Sequence, residues 1–459
     1  MAWNIVPILL VLYGFLKDFK PGEPFLFKYQ TNFLNLTETQ LNGEIYPYWT
    51  YSYLITLIPI FLLTDLLLYK PILILESIGY MVFRITLVFG SGIFLQQIGM
   101  SFYGVASAAE IAFYSYIYAK VRKNDYKRLT SWTRASTMAG RTFGYLLSQT
   151  IVLTGIGTYL TVNQISLISP VLVFIFGMCF PQIQWKSLIE RIKITKDIER
   201  FNEPTTYMQY VKFRMETLWS NTKQIYGIGF VRKWSLWWAM TTCMSLQVSA
   251  YSQTLWGEVQ REETTTFNGF AEATYTACAA IAIMLMNMIS IDWDKWGEAA
   301  LVLISSVDCA LLLLFSQAQT IYVMYICYIC YRTLYQVMIT IAQWNLAKKM
   351  VSESYALIFG LNSFVALILQ ALLTMIVVDE HGLAMRVRSQ FLVYSIYHAV
   401  IALIFLFSIA CNLINHYRNR FVIYSFNLNT MNHENLLEKL GQPVFTNSNP
   451  VFLQCISYR

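Results

Sequence analysis

The chain has 459 residues, of which 56% are hydrophobic and 13% are charged, and it carries a formal net charge of +7. Soluble domains contain about 25% charged residues, so this composition excludes a soluble protein and indicates an integral membrane protein. A bilayer crossing needs about 20 residues. Twelve apolar segments, the first of them short, predict an all-α fold with twelve transmembrane helices: about 3–16, 47–67, 71–95, 98–121, 132–154, 160–180, 234–256, 267–290, 297–316, 320–346, 355–378 and 389–413.

The distribution of Lys and Arg residues predicts the orientation of these helices. With both termini in the cytoplasm, inner loops and the tail carry 23 of the 33 Lys and Arg residues, and outer loops carry six. This split satisfies the positive-inside rule, so the net charge indicates a lipid bilayer and no nucleic-acid partner. The only glycosylation sequon, at Asn35, falls in the first outer loop of this topology and predicts a glycoprotein.

The longest polar interval divides the predicted helices six and six. We therefore predict an N-terminal six-helix half at 1–180, a cytoplasmic linker at 181–233, a C-terminal half at 234–413 and a cytoplasmic tail at 414–459. Two six-helix halves joined by a basic inner loop predict the major facilitator architecture. In that architecture two parallel repeats move against each other around a site near the middle of the membrane.

One carboxylate, Glu110, lies inside the predicted helix at 98–121. A charge at this depth costs about 2.5 kcal/mol or more, so such residues usually face a protein-lined cavity. Residues four apart share a helix face, which places Tyr114 beside Glu110, with Phe113 next to it. Aromatic faces near a carboxylate favour a flat organic cation. These residues predict a transport site, and a packing role for a single buried glutamate is the alternative.

Other polar residues lie at comparable depth, and we expect them to line the same cavity: Asn268, Glu272, Arg332, Gln336 and Gln370. Arg84 and Arg141 are further cations within predicted helices. Their expected partners are Glu110, Glu272 or Asp308, because an unpaired buried charge is very costly. Their spacing leaves open whether they bind substrate or neutralise these acids.

Two charges at the predicted inner face suggest a gate. Asp65 ends the second predicted helix and Arg134 begins the fifth. An ion pair between them would be partly desolvated and sensitive to the loss of either partner. We therefore predict that Asp65 and Arg134 form a cytoplasmic gate.

Catalytic residues are scarce in this sequence. Of the four histidines, only His398 is embedded in a predicted helix, and no polar residue shares its helical face. We therefore expect no enzyme activity, no bound metal and no other cofactor. A receptor that has kept a transporter fold without transport is a further alternative.

Long sequence runs resemble one family of membrane carriers. The runs are Lys20-Pro-Gly-Glu-Pro-Phe25, Gly43-Glu-Ile-Tyr-Pro-Tyr-Trp-Thr-Tyr-Ser-Tyr-Leu54, Glu110-Ile-Ala-Phe-Tyr-Ser-Tyr-Ile-Tyr118, Trp234-Ser-Leu-Trp-Trp-Ala239 and Tyr355-Ala-Leu-Ile-Phe-Gly-Leu-Asn362. From Met1 to about Leu413, apart from the central loop, the chain resembles the vitamin carriers that comprise the thiamine transporters and the reduced folate carrier. The resemblance implies a plasma-membrane carrier of a small-molecule vitamin, for which a monomer is sufficient.

The residues at a few individual positions indicate which substrate this resemblance implies. Glu110 stands where the folate carrier has an arginine and Gln370 where it has a lysine, and both resemble the thiamine type. The resemblance also assigns binding or cavity-shaping roles to four positions: Glu23, Trp49, Asn268 and Glu298. It implies proton- or anion-coupled transport, with Glu23, Glu110 and Glu298 as the residues able to carry a proton.

Other positions depart from the thiamine pattern. Tyr46 and Phe113 replace a Phe and a Tyr, while Arg84 and Arg141 occupy positions where aromatic residues are expected. Arg332 and Gln336 match polar positions of the folate carrier. A cation beside the pocket repels thiamine unless an acid neutralises it. The sequence therefore predicts thiamine uptake by alternating access, with a reduced folate or another small organic ion as the alternative.

Overall fold

The structure is a computed structural model that describes residues 5–37, 40–121, 123–196, 204, 206–260, 267–349, 355–378 and 382–439. These residues form fifteen α-helices, with short 3₁₀ and π turns between some of them, and the described ranges contain no strand. The helices are α1 (Ile5–Lys17), α2 (Leu26–Asn32), α3 (Tyr46–Leu66), α4 (Lys70–Phe89), α5 (Ile93–Lys120), α6 (Tyr126–Thr154), α7 (Tyr159–Cys179), α8 (Trp185–Lys196), α9 (Tyr207–Gly227), α10 (Gly229–Val259), α11 (Asn268–Met288), α12 (Trp293–Gln317), α13 (Ile321–Lys349), α14 (Tyr355–Val377) and α15 (Val387–Lys439).

Each of the twelve predicted segments coincides with one of these helices. Six of them precede the polar interval, six follow it, and the interval itself contains α8 and α9. The largest differences are at helix ends. α6 begins at Tyr126 and α10 at Gly229, several residues earlier than predicted, because polar turns at those ends lower the hydropathy without interrupting the helix. α15 continues into the predicted tail as far as Lys439, and residues 440–459 lie outside the described residues.

Seven of the described helices are long and apolar enough to cross a membrane by length and composition: α3, α4, α7, α11, α12, α14 and the first 28 residues of α15. α1 is apolar but has only 13 residues. The other long helices of the bundle, α5, α6, α10 and α13, all contribute side chains to the cavity described below. Their lower hydropathy reflects the polar residues that line that cavity.

Close packing between α3 and α14 joins the two sets of helices. A Cβ atom at Gly360 on α14 would lie 2.3 Å from the Cβ of Phe61 on α3, a distance that no side chain can accommodate without backbone movement. Gly360 therefore allows the two helices to approach each other. Near the end of α3, Tyr207 and Tyr210 of α9 donate hydrogen bonds to the carbonyl oxygens of Leu66 and Asp65. We call this end of the bundle the linker side.

The chain divides into two compact units, Met1–Ala402 and Leu403–Arg459. The first unit contains the cavity and every residue of the candidate site. The described part of the second unit is the continuation of α15.

Candidate functional site

A cavity of about 430 Å³ lies within the first unit, between the helices that precede the linker and those that follow it. This volume falls within the range of about 300–1,000 Å³ that is typical of small-molecule sites. Aromatic side chains form much of its wall: Trp49, Tyr53, Tyr80, Tyr103 and Tyr114 from the earlier helices, and Trp238, Tyr275, Tyr335 and Phe359 from the later ones. The cavity therefore offers flat apolar faces on both sides.

Glu110 on α5 lines this cavity and belongs to a buried ionic cluster. The ammonium of Lys17, at the end of α1, lies 3.0 Å from Glu110 and 2.7 Å from Glu76 on α4. The side chains of Glu76 and Lys17 are 0% and 1% exposed, whereas that of Glu110 is 31% exposed. Two carboxylates share one ammonium, so the cluster has an excess negative charge, and Glu110 presents it to the cavity.

A second ionic cluster lies beside the first. Asp18 accepts hydrogen bonds from Nε and NH2 of Arg141 at 3.1 and 3.0 Å, and the ammonium of Lys20 is 3.4 Å from the same carboxylate. Glu23 lies 3.6 Å from Lys20 and 3.8 Å from Arg84. Three cations face two carboxylates, so this cluster has an excess positive charge.

The segment between α1 and α2 contributes Asp18, Lys20 and Glu23, and Lys17 immediately precedes it. The side chains of Lys17 and Lys20 are buried, with 3% and 8% exposure. The segment folds into the bundle, where Gly22 donates a backbone hydrogen bond to Ser166 on α7 at 2.7 Å.

The buried segment also changes the partners of two arginines. The nearest carboxylate of Arg141 is Asp18 and that of Arg84 is Glu23, and neither acid was among the expected partners. The signal that the sequence offered was the density of charge from Lys17 to Glu23, directly after an apolar helix. A second missed signal was Glu76, which lies within the predicted segment 71–95.

Two further arginines line the cavity: Arg134 on α6, whose guanidinium lies 4.4 Å from the centre of the Tyr114 ring, and Arg332 on α13. Arg332 donates hydrogen bonds to the backbone and side-chain oxygens of Ser245, both at 3.0 Å, and to Tyr275. Arg134 donates to Gln343 at 2.9 Å and to Gln336 at 3.5 Å. Within the described part of the chain, neither guanidinium is within ion-pair distance of a carboxylate. Both guanidinium groups therefore face the cavity with neutral hydrogen-bond partners.

Comparisons with known proteins agree with this architecture. The sequence profile of the family described as "Reduced folate carrier" matches residues 1–393. The chain belongs to this family. "Folate-like transporter 3" of Caenorhabditis elegans is 41% identical over 407 residues, which cover 88% of this chain and 95% of that protein. "Thiamine transporter 1" of Homo sapiens is 34% identical over 446 residues, which cover 89% of this chain and 90% of that protein.

The solved structures establish the fold of this family member. The fucose:proton symporter FucP of E. coli, a major facilitator superfamily transporter, aligns with a TM-score of 0.60 and 14% identity, covering 89% of this chain and 99% of its own. The predicted major facilitator fold and the predicted family are therefore confirmed. The chain is a multi-pass membrane transporter and not an enzyme.

Several residues predicted for the carrier's site line the cavity, namely Glu23, Trp49, Glu110, Tyr114, Arg141, Glu272, Arg332 and Gln336. Arg134, predicted for the gate, also lines it. Glu23 accepts hydrogen bonds from Tyr103 at 3.1 Å and from Tyr145 at 3.2 Å. Glu272 accepts one from Tyr328 at 2.9 Å. The structure therefore brings these residues, from helices before and after the linker, to one cavity.

Other predicted site residues lie outside the cavity lining. Tyr46 donates a hydrogen bond to Gln30 at 2.7 Å, and Phe113 is buried against Tyr13, with ring centroids 5.1 Å apart. Asn268 accepts hydrogen bonds from Gln260 and Tyr325 at the start of α11. The remaining three have other neighbours: Arg84 lies beside Glu23, Glu298 pairs with Lys233 at 2.5 Å, and the backbone oxygen of Gln370 accepts from Gln247.

At the linker side of the carrier, side chains of its two sets of helices contact each other. The hydroxyls of Tyr126 on α6 and Tyr355 on α14 are 2.7 Å apart. The carboxylate of Asp65 lies near the backbone N–H groups of Ala356 and Leu357 at the start of α14, where the helix N-terminus favours a negative charge. The expected ion pair between Asp65 and Arg134 is not formed in this structure, because the partner of Asp65 is Arg214 on α9, at 3.6 Å.

Proposed function

We propose that this chain imports a vitamin across the plasma membrane by alternating access, and that its substrate is thiamine. The observation that carries this proposal is the position of Glu110, the cavity-facing member of a cluster with two carboxylates and one ammonium. Thiamine has a permanently charged thiazolium ring and a pyrimidine ring, both flat. A carboxylate with excess negative charge among tyrosine and tryptophan faces suits that chemistry.

The arginines of the second cluster do not oppose a cation as strongly as the sequence suggests. Asp18 offsets Arg141 at 3.0 Å, and Glu23 lies beside Arg84. Repulsion between these guanidinium groups and a bound cation is therefore reduced by the adjacent carboxylates. The 34% sequence identity to the human "Thiamine transporter 1" supports the same substrate.

A reduced folate is the second candidate, and a specific observation favours it. Arg134 and Arg332 face the cavity with neutral hydrogen-bond partners, so both are available to a carboxylate of an anionic substrate. The 41% sequence identity to "Folate-like transporter 3" supports this candidate. The two candidates differ in which residues bind the charge of the substrate: Glu110 for thiamine, and Arg134 and Arg332 for a folate.

We propose that transport moves the half at 1–180 against the half at 234–413. In this conformation Arg134 on α6 bonds to Gln343 and Gln336 on α13, and Tyr126 bonds to Tyr355, so the linker side is closed. A cation that engages Glu110 displaces Lys17 from that carboxylate, while Lys17 keeps Glu76 at 2.7 Å. Substrate can therefore rearrange the cluster without leaving a buried ammonium unpaired.

The test is transport by purified protein in proteoliposomes. We expect saturable uptake of radiolabelled thiamine and countertransport after preloading with unlabelled thiamine, with weak competition from folates. Saturable folate uptake without thiamine uptake would establish the second candidate. Stabilisation by either vitamin in a thermal-shift assay without countertransport would instead indicate a receptor that has kept the fold.

A gate prediction follows from the contacts of Asp65. Asp65→Arg is expected to lower transport at least about tenfold, because it replaces an acid that is 4% exposed with a cation beside the buried Arg214. The double variant Asp65→Arg/Arg214→Asp should recover transport, whereas Asp65→Arg/Arg134→Asp should not. Recovery by the second pair alone would favour the gate predicted from sequence. Tyr69→Phe is the control, since it removes only the hydroxyl that bonds to Asp65 at 2.8 Å.

The orientation of the carrier is tested at Asn35. Its side chain is exposed, and its φ of +54° is one that asparagine tolerates. With the termini in the cytoplasm, Asn35 is extracellular, so Asn35→Gln should remove an endoglycosidase-sensitive shift in electrophoretic mobility. Thr37→Ala, which also destroys the sequon, should have the same effect. A linker that is cleaved by protease added outside intact cells would reverse this orientation.

A further inference from the structure

A second group of titratable side chains lies within the C-terminal helices. Nδ1 of His398 on α15 is 3.9 Å from Oδ2 of Asp308 on α12. On the other side of the imidazole, Nε2 is 3.1 Å from the hydroxyl of Tyr331 on α13. None of these three residues lines the cavity. The group is thus separate from the proposed substrate site.

Burial restricts the charge that this group can carry. Asp308 is 3% exposed and His398 is 1% exposed. Within the described part of the chain, Oδ1 of Asp308 and Nδ1 of His398 have no hydrogen-bond partner. An ionised Asp308 beside a neutral His398 would therefore be a lone charge inside the membrane, which is strongly disfavoured. One proton on the pair removes that charge, either as a carboxylic acid or as an imidazolium paired with the carboxylate.

The surrounding groups do not titrate near neutral pH. α13 contributes Tyr331, Arg332 and Tyr335, and α10 contributes the thiol of Cys243. Ser395 on α15 donates a hydrogen bond to the backbone oxygen of Cys309 at 2.8 Å, which holds α15 against α12. The arginine stays charged, and the buried phenols and thiol stay neutral. A change of charge in this group near neutral pH therefore belongs to Asp308 and His398.

One helix connects the pair to the cavity. Tyr331 and Arg332 are consecutive on α13, so their side chains point about 100° apart around the helix axis. Tyr331 contacts His398, and Arg332 faces the cavity, where it bonds to Ser245. A change at the pair that moves α13 will thus move a cation in the cavity wall.

We propose that Asp308 and His398 form a proton-binding site that is separate from the substrate cavity and holds one proton in this conformation. Tyr331 and Arg332 couple its occupancy to transport. The coupling rests on the proposed function, whereas the proton site itself does not.

The proton site is tested by thermal unfolding of the detergent-solubilised protein without substrate. Above about pH 7 the folded pair holds a proton that the unfolded chain has released. Raising the pH by one unit therefore increases the equilibrium constant for unfolding of the wild type by up to tenfold. Asp308→Asn and Asp308→Asn/His398→Gln bind no such proton. We expect the wild-type Tm to fall relative to both variants between about pH 7 and 9. A difference in Tm that does not change with pH would overturn the site.

Cys309→Ala is the matched control. It alters the residue next to Asp308 but keeps the pair, so it should follow the wild-type pH profile. If Asp308→Asn fails to fold, the comparison of the wild type with Asp308→Asn/His398→Gln still decides the test.

The coupling is tested by the pH profile of thiamine uptake in proteoliposomes. We expect the rate of thiamine uptake to depend on pH in the wild type and in Cys309→Ala. In Asp308→Asn the rate should change by less than about twofold over the same pH range, while countertransport at a fixed pH persists in that variant. A wild-type profile in Asp308→Asn would overturn the coupling. Absence of thiamine uptake by the wild type would contradict the proposed function and leave the result of the unfolding test unaffected.

Discussion

Glu110→Gln is expected to lower thiamine uptake by about 10- to 100-fold while the protein remains folded. A hydrogen bond to a charged group contributes about 1.5–3 kcal/mol, and the substitution removes the negative charge while it keeps the size of the side chain. The measurement is the initial rate of radiolabelled thiamine uptake over a range of concentrations. A folate substrate bound by Arg134 and Arg332 should be affected much less.

The contacts of Lys17 explain why the fold should survive this change. After Glu110→Gln, Lys17 keeps Glu76 at 2.7 Å, so one buried ammonium faces one buried carboxylate. The cluster becomes neutral and loses only the charge that it presents to the cavity. We therefore expect a Tm close to that of the wild type, which separates loss of binding from loss of folding.

Glu258→Gln provides a matched control. The side chain of Glu258 is 32% exposed, nearly the same as that of Glu110, and it pairs with Arg388 at 3.2 Å outside the cavity lining. Its substitution should leave thiamine uptake within about twofold of the wild type, since exposed pairs contribute about 0–1 kcal/mol. Uptake that persists in Glu110→Gln at the wild-type rate would reject the cation site and favour an anionic vitamin.

The sequence predicted the helices well because their signals are local. Apolar runs and the polar interval placed twelve of the fifteen described helices, and the spacing around Glu110 placed Tyr114 beside it in the cavity wall. What local signals did not reveal was the path of the segment after α1. Lys17 and Lys20 are buried, and hydropathy alone does not distinguish an exposed charged loop from one that folds into the bundle.

The spacing of charged residues along the sequence did not predict the ion-pair partners either. Asp65 pairs with Arg214, which lies in the linker and is far from Asp65 in the sequence. Arg141 pairs with Asp18 across 123 positions of the chain. Such partners depend on how helices pack, and several acids at similar depth satisfy the same burial argument. Depth thus predicts that a charge needs a partner but does not say which residue it is.

Lys17→Met is expected to produce the largest loss of stability, about 3–5 kcal/mol in the free energy of unfolding. The ammonium is the shared partner of Glu76 and Glu110, and its side chain is 1% exposed. Without it, two carboxylates remain within the helices, and Glu76, which is 0% exposed, has lost its ion-pair partner. The measurement is the Tm in detergent together with the yield of folded protein.

The double variant Lys17→Met/Glu76→Gln is expected to recover most of this stability. It removes one positive and one negative charge, so the cluster keeps the single excess negative charge that Glu110 presents to the cavity. Because that charge is unchanged, thiamine uptake should return with the fold. Lys295→Met is the control, since Lys295 is exposed and its loss should leave the Tm unchanged. If the double variant is less stable than Lys17→Met, or folds without thiamine uptake, then the charge balance of this cluster does not govern either property.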